Sequence, residues 1–343
     1  MTANPAFDVK AVLGAIAAGR SLSSDEIFEA LDHMTAGEAT AAQMGAFLMG
    51  LRVRGETVEE LTGAARLLRS RMLAVRAPAG ATDIVGTGGD GLKTYNVSTC
   101  AAFVAAGAGL VIAKHGNRSV SSLSGASDVL MALGVKIDLG AAQVAGILDE
   151  SGIGFLWAPL HHPAMKVWAP IRAELGLRTV FNLMGPVCNP AGVVRQVIGV
   201  YSADWVKPIA QVLENLGSVH AWVVHGHDGL DELSTTGPTR VAELKNGKIA
   251  MFDVTPEEAG LPRAALADLK GGDAAANASA LREVLDGARG AYRDIVLMNA
   301  GAALVVGDKA ATLAEGVALA AASIDSGAAR RALERLIRAS NAA

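Results

Sequence analysis

The chain has 343 residues, of which 51% are hydrophobic and 4% aromatic, and its formal net charge is −4 at pH 7. This length allows two domains or one large domain. The acidic balance gives no reason to expect binding to nucleic acid or to an anionic membrane surface.

The two cysteines, Cys100 and Cys188, have neither a metal-type spacing nor the pattern of a disulfide framework. The polar N-terminus has no signal-peptide pattern, and the longest apolar run, residues 100–113, is too short to span a bilayer. We therefore expect a soluble protein of the reducing cytoplasm.

The first 72 residues are predicted to be helical, with apolar residues at helical spacing and no strand before Pro78. Four short helices are expected, followed by a linker near residues 74–81. Three capping boxes, each a hydroxyl residue with a glutamate three positions later, are expected to begin helices. They are Ser23 with Glu26, Thr35 with Glu38, and Thr57 with Glu60.

From Thr82 onward, strand-like segments alternate with helical segments, which is typical of a largely parallel sheet flanked by helices. The predicted strands are residues 82–85, 110–114, 135–138, 154–157, 196–201 and 220–225. The predicted helices between them are residues 98–106, 127–133, 141–150 and 205–216. Residues 241–244 and 248–252, joined by Asn246-Gly247, are predicted to form a hairpin. From about residue 278 the chain is predicted to be helical again.

Residues 163–182 do not fit this alternation, because they follow a strand but form one long helix-compatible stretch. We expect them to pack against the N-terminal helices. The predicted small helical domain then comprises residues 1–74 and about 163–185, and the α/β domain comprises residues 80–343. The hinges between the two domains would lie beside the substrate site.

Four glycines, Gly86, Gly88, Gly89 and Gly91, surround Asp90 after the first predicted strand. Glycines allow backbone N–H groups to approach a ligand closely, and the loop leads into a helix N-terminus, which favours anions. The spacing fits neither the dinucleotide fingerprint nor the P-loop. Because a carboxylate repels bare phosphate, the loop indicates a sugar phosphate or diphosphate bound with a divalent metal.

Two further polar segments follow strands and are expected at the same edge of the sheet, where ligands bind in open α/β folds. Residues 114–122 offer cations, an amide and hydroxyls, and Asp231-Glu232 suits magnesium. Each segment taken alone is also compatible with a solvated loop. Arg172 could bind a carboxylate through a bidentate contact. Its position in the sequence alone, however, favours an exposed arginine that pairs with Glu174 or with solvent.

Six signatures together resemble the anthranilate phosphoribosyltransferase family of tryptophan biosynthesis. They are Gly86 to Asp90, Thr94 to Thr99, Lys114 to Ser122, His162 to Lys166, Arg178 to Asn182 with Gly185-Pro186 and Asn189-Pro190, and Asp231 to Ser234. The resemblance implies an all-helical N-terminal domain and a large α/β domain with a mostly parallel central sheet, an architecture similar to that of nucleoside phosphorylases. It also implies a homodimer formed through the helical domains.

The activity implied by the resemblance is transfer of the 5-phosphoribosyl group of phosphoribosyl diphosphate (PRPP) to the amine of anthranilate, with release of pyrophosphate and with Mg²⁺ as cofactor. The implied PRPP-binding residues are Gly86, Gly89, Asp90, Thr94, Asn96, Val97, Ser98, Thr99, Lys114, His115, Gly116, Asn117, Arg118, Ser119, Val120, Ser121, Ser122 and Ala126. The implied magnesium ligands are Ser98, Asp231 and Glu232. The implied anthranilate contacts are Gly86, Asn117, Arg172 and His162, with His115 nearby.

No residue is assigned as a general acid or base. Two other functions remain open at this point. One is a pyrimidine nucleoside phosphorylase-like enzyme with the same general architecture, and the other is a non-catalytic relative that binds nucleic acid.

Overall fold

Helices at both ends of the chain enclose a seven-stranded sheet in the computed structural model, which describes residues 7–118 and 124–343. The helices are α1 (Val9–Ala17), α2 (Ser24–Thr35), α3 (Ala41–Arg54), α4 (Val58–Arg71), α5 (Val97–Gly107), α6 (Ala126–Ala132), α7 (Ala141–Ser151), α8 (Ala158–His161), α9 (Met165–Leu175), α10 (Phe181–Val187), α11 (Val206–Asn215), α12 (Ala274–Leu285), α13 (Ala291–Val306), α14 (Leu313–Asp325) and α15 (Ala328–Ala342). The strands are β1 (Thr82–Gly86), β2 (Ile112–Gly116), β3 (Ile153–Trp157), β4 (Arg195–Gly199), β5 (His220–Gly226), β6 (Thr239–Lys245) and β7 (Lys248–Val254).

The sheet has the order β3-β2-β1-β4-β5-β6-β7, with β1 to β5 parallel and β6 and β7 antiparallel. This arrangement confirms the predicted α/β architecture and the hairpin at Asn246-Gly247. The chain builds outward from β1 to β3 and then returns to place β4 on the other side of β1. Loops after β1 and β4 therefore leave the sheet in opposite directions, and such a switch point creates a crevice at the carboxyl ends of the strands.

The predicted strand at residues 135–138 is wrong. These residues lie in a loop between α6 and α7, where Val135 and Ile137 are buried and the residues next to them, Lys136 and Asp138, are exposed. The Lys136 N–H donates to Ser340 Oγ at 3.2 Å, so the backbone bonds to α15 and not to a neighbouring strand. Alternating burial thus produced a strand-like pattern without a sheet partner.

Two of the three predicted capping boxes are confirmed, at Ser23 and at Thr57. The prediction for Thr35 is wrong, because Thr35 is the last residue of α2 and its hydroxyl donates to the Leu31 carbonyl. Helix α3 begins instead after Thr40, which forms a capping box with Gln43. Glutamine serves this motif as well as glutamate does, so a pattern restricted to glutamate misses Thr40.

The segment that did not fit the alternation forms two helices, α9 and α10, instead of one long helix. Gly176 ends α9 in a left-handed conformation with φ +61°. Trp168 on α9 is buried and donates its indole N–H to Thr35 Oγ1 at 2.9 Å. Its ring also lies against Phe181 of α10, with 5.0 Å between ring centroids. The segment thus packs on the N-terminal helices.

Two apolar cores lie on either side of the sheet. One includes α5 and α13, and the other joins the N-terminal helices, α9 to α11 and the buried faces of β4 and β5. Within residues 7–118 and 124–343, none of the helices combines the length and apolar character needed to cross a membrane.

Candidate active site

A cavity of about 920 Å³ opens at the carboxyl ends of the parallel strands, beside the switch point between β1 and β4. Loops after β1, β2 and β5 form one side, and α9 and α10 form the other. All the predicted site residues within the described ranges line this cavity: Gly86, Gly89, Asp90, Thr94, Asn96, Val97, Ser98, Thr99, Lys114, His115, Gly116, Asn117, Arg118, Ala126, His162, Arg172, Asp231 and Glu232. Ser119, Val120, Ser121 and Ser122 lie outside the described residues.

The glycine loop is shaped in large part by Asp231. The Gly88 N–H donates to Asp231 Oδ2 at 2.6 Å. A Cβ atom on Gly86 would lie 2.4 Å from the same oxygen, and one on Gly199 would lie 1.6 Å from the Asp231 carbonyl oxygen. These two glycines therefore make room for Asp231 between the ends of β1 and β4, a role that the sequence pattern did not reveal.

Three carboxyl groups meet beside this loop. Burial, together with the charge of Asp90, raises the pKa of Asp231 to about 7. Burial and the charge of Asp231 raise the pKa of Glu232 to about 8. Glu232 Oε1 also accepts a hydrogen bond from the Ser98 N–H in the first turn of α5, at 3.1 Å. The cluster is preformed but electrostatically strained, so a cation would stabilise its ionised form.

The donor set fits magnesium that is shared with a ligand better than a closed metal site. In the part of the chain that the structure describes, no three His, Cys, Asp or Glu side chains form a group able to hold a metal ion. Magnesium in proteins usually keeps several waters and takes one or two carboxylates together with substrate phosphates. Asp231, Glu232 and the Ser98 hydroxyl can supply that incomplete set.

The loop that carries Asp231 and Glu232 is held at both ends. Asp228 Oδ2 accepts hydrogen bonds from the hydroxyls of Ser234 and Thr236, each at 2.5 Å. The Leu233 N–H donates to Asn299 Oδ1 at 2.9 Å. The two carboxyl groups are thus positioned before any ligand binds.

Lys114 brings a buried cation to the same side of the cavity. Its ammonium donates to the Ile84 carbonyl at 2.7 Å and to Ser98 Oγ at 3.3 Å. Burial lowers the pKa of Lys114, and the nearby carboxyl groups of Asp83 and Glu232 act in the opposite direction. The lysine therefore lies between the acidic cluster and the strand that precedes the glycine loop.

The opposite wall offers a cation that has no acidic partner among the described residues. Arg172 of α9 is partly buried, and its guanidinium carbon lies 5.7 Å from the centroid of the Phe181 ring. Burial lowers its pKa. The salt bridges of 4.0 Å or less within the described part of the chain do not include Arg172, either with Glu174 or with another acid. The exposed, paired arginine that spacing alone favoured is therefore not observed.

Two buried histidines adjoin this wall. The Nε2 atoms of His115 and His162 lie 3.3 Å apart, and His115 Nδ1 lies 2.9 Å from the Gly185 carbonyl oxygen. Burial is the main cause that lowers the pKa of His115 to about 3 and that of His162 to about 4. Both rings are therefore neutral near pH 7.

Sequence reasoning gave no role to several residues that also line the cavity, including Lys93, Lys166 and Arg178. Arg178 donates to the Gly89 carbonyl, and its guanidinium lies 4.3 Å from the centroid of the Tyr201 ring. It thereby links the segment between α9 and α10 to the glycine loop. Its place in the signature Arg178 to Asn182 was the signal that pointed to it.

Comparison with known proteins identifies one protein family along nearly the whole chain. Residues 10–72 match the helical bundle domain of a glycosyl transferase family, and residues 79–330 match the a/b domain of that family. An anthranilate phosphoribosyltransferase of Rhodopseudomonas palustris (strain BisB18) is 61% identical over 336 residues, which cover 98% of this chain and 99% of that protein.

Solved structures agree in fold. The crystal structure of the anthranilate phosphoribosyltransferase from Thermus thermophilus has 43% identity and a TM-score of 0.91, covering 98% of this chain and 100% of that one. The enzyme from Saccharomyces cerevisiae in complex with PRPP and Mg has 31% identity and a TM-score of 0.90, covering 98% of each chain. The yeast enzyme with 4-fluoroanthranilate has 29% identity and a TM-score of 0.88, covering 98% of this chain and 99% of that one. This chain belongs to the anthranilate phosphoribosyltransferase family.

Proposed function

We propose that this protein transfers the 5-phosphoribosyl group of PRPP to the amine of anthranilate and releases pyrophosphate, as a step of tryptophan biosynthesis. Family membership supports the reaction, as do the yeast relatives solved with PRPP and Mg and with 4-fluoroanthranilate. The observation that carries the proposal is a single cavity that places a carboxylate cluster beside a glycine loop on one wall and Arg172 on the other.

The diphosphate end of PRPP is proposed to lie against the loops after β1 and β2. The backbone of the glycine loop, the N-terminus of α5 and Lys114 supply donors and positive charge there. Asp231, Glu232 and Ser98 would hold magnesium, which offsets the negative charge of the diphosphate when bound. Ser119 to Ser122 are proposed to complete this binding surface.

Anthranilate is proposed to bind at the second wall, with its carboxylate on Arg172. A bidentate arginine–carboxylate contact is strong and directional, and the Arg172 side chain is already partly removed from water. Gly86, Asn117 and His162 are the other proposed contacts, and Phe181 provides an aromatic surface beside them. The amine would then face the glycine loop, where the ribose of PRPP is expected.

Catalysis in this arrangement depends on charge stabilisation and orientation. Anthranilate is a weak nucleophile, so the difficult event is cleavage of the bond from the ribose anomeric carbon to pyrophosphate. Lys114 and the N-terminal end of α5 are fixed before reaction, and such preorganised positive groups stabilise negative charge that develops in the transition state. Holding the amine against the anomeric carbon supplies a further large share of the rate.

We also propose a homodimer formed through a small helical domain comprising residues 1–74 and about 163–185. Large apolar side chains that are exposed on α3 and α9 support this proposal: Met49 is 40% exposed, Val53 74% and Val167 40%. Cytoplasmic location is proposed from the biosynthetic family and from Cys100 and Cys188, which are both buried free thiols.

Loss of anthranilate fluorescence on addition of PRPP and magnesium tests the proposed reaction. We expect the fluorescence loss to require the protein, PRPP and magnesium together. One pyrophosphate should be released for each anthranilate consumed. Two rival functions serve as controls: phosphorolysis of thymidine for a nucleoside phosphorylase, and filter binding of nucleic acid at physiological salt. Activity in either rival assay without anthranilate consumption would contradict the proposal.

A further inference from the structure

Strands β1 and β2, which lead into the two substrate loops, are paired less regularly than their neighbours. One residue pair, Thr82 with Ile112, is aligned in the parallel pairing of β1 with β2. The pairs β1–β4, β2–β3 and β4–β5 each hold register over five residue pairs. Something other than a regular backbone ladder must therefore fix the distance between β1 and β2 toward their carboxyl ends.

Side chains take the place of that ladder. Asp83, on β1, accepts a hydrogen bond from the His115 N–H of β2 at its Oδ1 atom, at 3.2 Å. Its Oδ2 atom accepts from Asn189 Nδ2 at 2.8 Å, and the same amide donates to the Ala113 carbonyl of β2 at 2.8 Å. One carboxylate and one amide thus connect β1, β2 and the turn after α10.

Asp83 is a costly residue for this position. Its side chain has no exposed surface, and burial raises its pKa to about 6. It is also the strongest opposing influence on Lys114, whose pKa burial lowers. A buried carboxylate is tolerated only when it is well bonded, and both oxygens of Asp83 accept hydrogen bonds. Its partners belong to β2, which also carries Lys114, and to the turn after α10, so Asp83 fixes how these segments lie relative to β1.

We propose that Asp83 is a positioning residue that sets the separation between the glycine loop and the Lys114–Arg118 segment, so that both contact one PRPP molecule. This inference rests on the proposed function. Asp83 does not line the cavity, so it acts through the residues it holds: the backbone of His115 directly, and Lys114 through charge. The anthranilate carboxylate is assigned to Arg172 on α9, so anthranilate binding depends on Asp83 less, through Gly86 and Asn117.

The variant Asp83→Asn tests this role with little change in volume. One acceptor oxygen becomes an NH₂ group, which then faces another donor at either His115 or Asn189. We expect kcat/KM for PRPP to fall on the order of 10²-fold, the effect on rate of about 1 Å of misplacement. The PRPP affinity measured by calorimetry with magnesium should also fall, whereas the KM for anthranilate should change much less.

Two further variants keep the test decisive. Asn189→Ala removes the other half of the contact while leaving Asp83 in place, and it should shift kcat/KM for PRPP in the same direction. Ser323→Ala removes a buried hydrogen bond of 2.8 Å to the Val104 carbonyl, outside the cavity. It should lower the melting temperature and leave both KM values unchanged.

The outcomes separate this inference from the proposed function. Unchanged PRPP affinity in a folded Asp83→Asn protein, or a loss of thermal stability alone as in Ser323→Ala, would overturn the positioning role. A wild-type protein that binds PRPP but never consumes anthranilate would reject the proposed reaction, while the calorimetric comparison would still test Asp83.

Discussion

The two walls of the cavity differ in whether their charged side chains already have partners. On the acidic wall, Asp231 and Glu232 already accept hydrogen bonds from backbone amides, and their loop is held by Asp228 and Asn299. On the opposite wall, Arg172 has no acidic partner within 4.0 Å among the described residues. One wall is thus complete except for a cation, and the other is complete except for an anion.

Under the proposed binding mode, this contrast predicts where each substrate group gains its binding energy. The acidic wall belongs to rigid loops at strand ends, so it can stabilise charge that changes during reaction. The arginine wall lies on α9, which packs on the N-terminal helices through Trp168. A change on the first wall should therefore affect turnover, a change on the second should affect anthranilate binding, and a change in the helical support should affect stability.

The largest effect is expected from the acidic wall. The double change Asp231→Asn with Glu232→Gln removes both negative charges and keeps the side-chain shapes. Because the proposed magnesium site is then lost, we expect kcat with PRPP to fall on the order of 10³-fold or more. Chelation of magnesium in the wild type should have a similar effect. Near-normal turnover of the variant at saturating magnesium would remove the acidic wall from the mechanism.

The same wall predicts a pH dependence of ligand-free stability. The pKa of Asp231 is raised from 3.8 to about 7, so folding favours its protonated form. The contribution of Asp231 to folding stability is therefore fully present below about pH 4 and is lost as the pH rises through about 7. We expect the double variant to melt above the wild type at about pH 8 in EDTA. Equal melting temperatures at that pH would contradict the electrostatic strain of the cluster.

The next effect concerns the arginine wall. Arg172→Ala should raise the KM for anthranilate about 10- to 100-fold, because a charged hydrogen bond contributes about 1.5–3 kcal/mol, and the KM for PRPP should change little. Arg263→Ala is the matched control, since Arg263 pairs with Glu257 on an exposed surface and such pairs contribute little. If both KM values rise together in Arg172→Ala, the proposed division of the substrates between the two walls is wrong.

The smallest effect on activity is expected from the helical support. Thr57 caps α4 through the Glu60 N–H, and Thr57→Ala should cost about 1 kcal/mol of unfolding free energy. Arg69 of the same helix donates to the Val187 carbonyl of α10 at 2.8 Å, so this helix supports the second wall. Denaturant unfolding and steady-state kinetics on one preparation would check that both KM values stay unchanged. A changed KM for anthranilate would show that the support also tunes the site.

Much of the fold could be predicted because the sequence patterns that indicate it involve residues close together in the chain. Hydroxyl caps at Ser23 and Thr57, the alternation from Thr82 onward and the Asn246-Gly247 turn each depend on a few neighbouring residues. The wrong strand prediction has a cause that is not local. Residues 135–138 have the burial pattern of a strand, but only a neighbouring strand can make them one, and their backbone instead meets Ser340.

The glycine loop shows the same limit at the site. Its composition indicated an anion-binding loop, yet the requirement for glycine at Gly86 and Gly199 comes from Asp231, which is distant in sequence. Asp83 is the clearest omission. It lies in a short apolar strand, and a charged residue there is rarely fully buried without a partner. Its partners, His115 and Asn189, come from other parts of the chain.

Spacing, composition and motif order were therefore sufficient for the class of fold, the family resemblance and the set of loops that meet at the cavity. Long-range packing alone established that Arg172 faces the cavity without an acid partner among the described residues, that α9 rests on the N-terminal helices, and that Asp83 replaces the ladder between β1 and β2. The physical reason is that local propensity and periodicity act between near neighbours in sequence. Burial, charge pairing and strand register depend on which distant residues come into contact.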